Sequence, residues 1–110
     1  MKGTNIGEFE ELVLLAVSIL QEGAYSIAVA NEIHKVTNRK VVFTVIHAAL
    51  IRLEKKGLLE SKLGGATNER GGRSKRFFNI STAGKKALLK AKSQRDQMWQ
   101  MVPKVIFKNV

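Results

Sequence analysis

The chain has 110 residues, 45% apolar and 25% charged, with no cysteine. This is the balance of one folded domain rather than a disordered segment, and it excludes disulfides, thiol catalysis and cysteine-held metal. The formal net charge is +10, and all of the excess lies late in the chain: residues 1–69 carry eight Lys/Arg against eight Glu, and residues 70–110 carry eleven Lys/Arg against Asp96 alone.

The first helix is predicted over Gly7 to Glu22, capped by Asn5 with Glu8 three residues on, and Glu8, Glu10 and Glu11 suit its positive end. Phe9, Leu12, Val13, Ala16, Val17, Ile19 and Leu20 cover more than one face, so it is expected either to be buried on several sides or to pack against both its own domain and another subunit. The apolar run within it, Leu12 to Leu20, is too short to span a bilayer and follows acids rather than cations. A cytoplasmic protein with no membrane partner is expected. Gly23 is read as the stop.

A second helix is expected from Tyr25 or Ser26 to Thr37, with Ile27, Ala30, Ile33 and Val36 inward. Asn38-Arg39-Lys40 is a polar turn, and Val41-Val42-Phe43 reads as a short strand. The third helix is predicted over Thr44 to Lys56, with Ile46, Ala49, Leu50 and Leu53 as its inner stripe and Gly57 closing it.

The period then changes from helical to alternating. Leu58 to Leu63 and Lys75 to Ile80 read as strands joined by GGATNERGGRS, a hairpin with a long basic loop. Ser81 or Thr82 caps a fourth helix that can run to Val102, where Pro103 ends it. The order predicts a mostly α fold with a small β-hairpin: a winged helix-turn-helix over residues 1–80, and a long dimerisation helix and tail over 81–110. The tail KVIFKNV has no assignment.

A charge excess confined to the wing and last helix points to a polyanion, with nucleic acid first and an anionic membrane surface second. On the wing, Phe78 and Ile80 share one strand face and can anchor the hairpin. Gly71 and Gly72 permit a sharp tip, and Arg70, Arg73, Lys75 and Arg76 suit phosphates. The third helix is the natural major-groove reader, presenting Thr44, Val45, His47 and Ala48, with Lys40 in the turn before it. Its composition offers few donors to base edges, so contact with thymine methyls or indirect readout is expected to matter more.

The fourth helix carries Ala83, Ala87, Ala91, Gln94, Met98 and Val102 at spacings of three or four. That stripe has little to pack on within so small a domain, so a second copy is the expected partner, joined by Phe9 and Leu12 of the first helix. Trp99, the only tryptophan, lies beside Met98 and Met101. It is read either as a dimer anchor or, with Met98, as a stacking surface for a flat aromatic effector. The two histidines lack metal-ligand spacing, and there is no nucleophile elbow, phosphate loop or acid–base pair, so neither enzyme nor cofactor is expected.

Over nearly its whole length the sequence resembles the PadR family of bacterial winged-helix transcriptional regulators. GEFEELVLLAV, AALIRLEKKGLLES and TNERGGRSKRFFNISTAG carry the resemblance, the last through a GGR-x-K-R wing followed by paired aromatics. The resemblance implies a homodimeric repressor on a pseudo-palindromic double-stranded operator, with a single C-terminal dimerisation helix. It also implies that Trp99 can match tryptophans that hold aromatic drugs or dyes in some short members. The family commonly has a small polar residue where Val42 stands and a tyrosine where His47 stands. The alternative from another class is a winged helix for protein–protein contact without specific DNA binding.

Overall fold

A computed structural model describes residues 5–64 and 75–110. The loop cations and glycines Arg70, Gly71, Gly72 and Arg73 lie outside them. Glu8–Leu20 forms helix α1, with its three glutamates in the first turn. The capping pair is two residues later than the sequence suggested: Gly7 is the N-cap, and its amide donates to Glu10 Oε1 at 3.3 Å. The helix ends on Gln21 rather than Gly23. Gln21 takes φ 54°, ψ −117°, donates to the Val17 carbonyl, and opens a single 3-10 turn over Gln21–Gly23. This earlier exit buries Ala24, whose carbonyl then accepts the Phe78 amide at 2.8 Å.

Helix α2, Ser26–Thr37, turns Val29, Ala30 and Ile33 inward, while Ile27 and Val36 are exposed. Helical spacing admits both stripes, and packing between α1 and the next helix selects the one containing Val29. Asn38, at φ 61°, ends α2 in the left-handed conformation that asparagine tolerates. The strand expected over Val41 to Phe43 does not form. Val42 is an extended N-cap (φ −65°, ψ 145°), and Phe43 already begins helix α3, Phe43–Lys55. A strand needs a ladder partner, and among the described residues the sheet consists of the two strands of the wing.

Ile46, Ala49, Leu50 and Leu53 of α3 are all buried, as their spacing requires. Gly57, at φ 81°, closes the helix in a Schellman arrangement: its amide donates to Glu54, and that of Leu58 to Leu53. The chain then enters strand β1, Leu59–Leu63, which pairs antiparallel with β2, Arg76–Ile80, setting Leu59 opposite Ile80 and Ser61 opposite Phe78. Phe78 is completely buried and pins the hairpin to the helices, with Ile80 half-buried beside the core.

Helix α4, Thr82–Met101, is capped by Ser81, whose Oγ accepts the Gly84 amide at 3.0 Å. The same hydroxyl donates to the Gly57 carbonyl at 2.6 Å, and the Ser81 amide donates to Leu58. Three backbone groups from two turns thus meet on one serine. Gly84 and Ala87 lie in the core, so the first turns of α4 complete the winged-helix body. Further along, Arg95 pairs with Glu11 of α1 at 2.7 Å. The tail, unassigned from sequence, forms a 3-10 turn over Lys104–Phe107.

One charged group sits inside this body. Glu10 accepts from Lys56 Nζ at 2.9 and 3.1 Å and from Arg52 Nε at 3.2 Å, tying α1 to the end of α3. Burial opposes its charged form, but Lys56, the Gly7 amide and Arg52 together outweigh that and hold its pKa below 4.5. A lowered carboxylate stabilises the fold fully above the unfolded pKa and loses that contribution as pH falls through the folded one. Glu10→Gln is therefore expected to cost about 2 kcal/mol near neutral pH. In urea titrations its gap from the parent should narrow progressively below pH 4.5.

Candidate nucleic-acid interface

The start of α3 faces solvent. Thr44, Val45, His47 and Ala48 all reach solvent, together with the N-cap Val42 and Phe43. The reason is geometric: with Ile46, Ala49 and Leu50 facing inward, the residues between them face out. His47 is not loose on this surface. Its Nδ1 lies 2.8 Å from Oγ of Ser26, the first residue of α2. This contact spans 21 residues and fixes the ring against the neighbouring helix.

Lys40 is exposed in the turn before α3, beside Asn31 and His34 of α2. Its neighbour Arg39 is engaged elsewhere, donating through Nη1 to both Glu8 oxygens at 2.8 and 3.0 Å and lying over the Phe9 ring.

The wing root supplies the other cations. Lys75 Nζ sits 4.3 Å from the centroid of the Tyr25 ring, which itself meets Phe77 edge-on at 5.6 Å. Arg76 Nη1 donates to Ser61 Oγ at 2.8 Å, and Ser61 donates in turn to Glu54 Oε2 at 2.7 Å. A guanidinium has five N–H donors, so this tether orients Arg76 and leaves donors for phosphate oxygens. Sequence reasoning named Lys75 and Arg76 but missed Tyr25, Ser26 and Ser61, which hold the interface residues. No local pattern marks them, because Tyr25 and Ser26 act on residues far along the chain.

The residues expected to join two subunits are more scattered. Phe9 and Leu12 are half-buried against the chain's own core, and Ala87 is within it. Ala91 is half-buried, Met98 is exposed on the last turns of α4, and Val102 is half-buried at its C-cap. Trp99 is 65% exposed, yet one face stacks on Phe107 of the tail, centroids 5.6 Å apart and planes 29° apart. Among the described residues no helix is long and apolar enough to cross a membrane.

No family model and no curated protein matches the chain. Solved structures do. A PadR-like transcriptional regulator from Bacillus cereus is similar at a TM-score of 0.71 and 22% identity, over 92% of this chain and 93% of that one. A transcriptional regulator from Clostridium thermocellum is 25% identical over 96% of this chain and 98% of that one, with a TM-score of 0.59. The Aeropyrum pernix Orc1 protein, solved in complex with DNA, gives a TM-score of 0.66 at 18% identity, over 91% of this chain and 27% of its own. The fold is the PadR-like winged helix.

Proposed function

We propose that the protein is a dimeric, sequence-specific DNA-binding transcriptional regulator that represses by occupying its operator. The observation that carries this reading is the solvent-facing start of α3, with Lys40 on one flank and the tethered wing-root cations Lys75 and Arg76 alongside. An exposed helix start with cations near it suits a major groove bordered by phosphate backbones. The charge excess after residue 69 and the DNA complex of the Orc1 neighbour support the same partner.

A second copy would cover what α4 leaves in solvent. Leu89, Met98, Trp99 and Met101 are each more than 60% exposed, an apolar surface spread around the later turns of α4 that is large for a helix ending in water. Two-fold pairing through it would set the two reading helices about one DNA turn, roughly 34 Å, apart.

Selection of bound fragments from random duplex DNA tests the function directly. The expected result is an enriched inverted repeat, bound with a steep loss of affinity as salt rises. Recovery of no enriched fragment would favour a protein-binding module instead.

An aromatic effector fits Trp99, next to Met98, on the same turns of α4. It must bind the DNA-competent and incompetent states with different affinity to act as a switch. Titration with planar aromatic compounds is expected to quench Trp99 fluorescence and, at the same concentrations, to release operator duplex. Quenching without release would leave Trp99 as a dimer anchor only.

A further inference from the structure

The chemistry of the reading surface narrows which DNA it selects. The main hydrogen-bonding codes of the major groove are bidentate, arginine or lysine with guanine and asparagine or glutamine with adenine. The exposed start of α3 has none of these side chains. From Val42 to Ala48 it offers only the Thr44 hydroxyl and the ring of His47. The arginines on either side of it in the chain are partly engaged with α1: Arg39 donates through Nη1 to Glu8, and Arg52 through Nε to Glu10.

What α3 does present is apolar. Val42 is 67% exposed, Phe43 53% and Val45 47%. The major groove has one apolar recognition feature, the C5 methyl of thymine, and Ala, Thr and Phe side chains are among those that contact it. Charge decides between DNA and a protein as the cover for this patch: Lys40 shares a surface hollow with Val42, and Lys75 lies over Tyr25, the neighbour of the Ser26 that holds His47.

Resting on the DNA-binding reading above, we infer that α3 selects its operator by thymine methyl groups packed against Phe43, Val45 and the neighbouring methyls of Thr44 and Ala48. Guanine-reading hydrogen bonds contribute little. His47, held by Ser26, serves as a polar contact to the backbone or to a single base edge. Half-sites should therefore be marked by thymines at discrete positions on the groove floor.

The test uses the duplex recovered by the selection above. Each thymine of a half-site is replaced in turn by uracil, which removes the methyl and keeps base pairing. The expected result is about fourfold weaker binding at each position facing α3, the worth of one buried methyl. The Val45→Ala variant should lose that thymine-over-uracil preference at one position, so that uracil there costs it nothing further, and keep the preference at the other positions. Its melting temperature should be unchanged, since Val45 is solvent-exposed.

Uracil duplexes that bind as tightly as the parent at every position would overturn the methyl reading while leaving DNA binding intact. Undiminished thymine preference in a Phe43→Ala, Val45→Ala variant would also overturn it, and would return the apolar patch to a protein partner. Failure of selection to enrich any duplex would remove the DNA-binding reading itself.

Discussion

Gly84→Ala is expected to destabilise the protein by about 3 kcal/mol, although alanine is the better helix former. A Cβ at this position would overlap the Leu58 carbonyl oxygen and press on Ile80 Cγ1 at 2.7 Å. The first is backbone, already fixed by the Ser81 amide, so it has no rotamer through which to yield. The helix propensity gained from alanine is about 1 kcal/mol, too small to offset moving α4 off the wing. Chemical denaturation reads the result directly. A variant as stable as the parent would show that α4 does not seat as closely on the α3–β1 turn as this packing requires. In a protein whose total stability is of order 5–15 kcal/mol, the loss would also be visible as a fall in melting temperature.

Removing both wing-root cations, Lys75→Ala with Arg76→Ala, is expected to weaken operator binding by roughly one to two orders of magnitude at low salt. The plot of log affinity against log salt should become shallower by nearly two units, about 0.9 for each phosphate no longer neutralised. Folding should survive. The Arg76 contact to Ser61 is exposed, and the Lys75–Tyr25 contact is worth about 0.5–1 kcal/mol at such a site. A paired control on the tail, Lys104→Ala with Lys108→Ala, removes the same formal charge away from the wing and should leave the slope near its parent value. Equal slopes for the two double variants would mean that overall charge, not the wing, drives binding.

Much of the architecture was legible in local pattern. The inner stripe of α3, the Gly57 stop, both strands and the Ser81 cap all follow from short-range rules of spacing and capping. The errors fell where two local solutions were nearly equal. Asn5 and Gly7 can each begin α1. Gly23 looked the better stop than Gln21, and Ile27 shares the helical spacing of the stripe that includes Val29. In each case a distant partner decided: Lys56 and Arg52 for Glu10, Phe78 for the exit after α1, and the α1–α3 cleft for α2.

The candidate interface divides in the same way. By itself the sequence determined which residue types are available, namely a basic half, a wing with Lys75 and Arg76, and a third helix poor in base-reading donors. Charge and periodicity are sums over neighbours in the chain, so they can be read without a fold. Only the tertiary structure decided how those groups are held or spent. Ser26 holds His47, Ser61 holds Arg76, Tyr25 lies under Lys75, and Phe107 covers one face of Trp99, while Arg39 and Arg52 are drawn off to glutamates of α1. Most of these pairings close loops of many residues. Their geometry comes from packing in the core, not from any pattern along the chain.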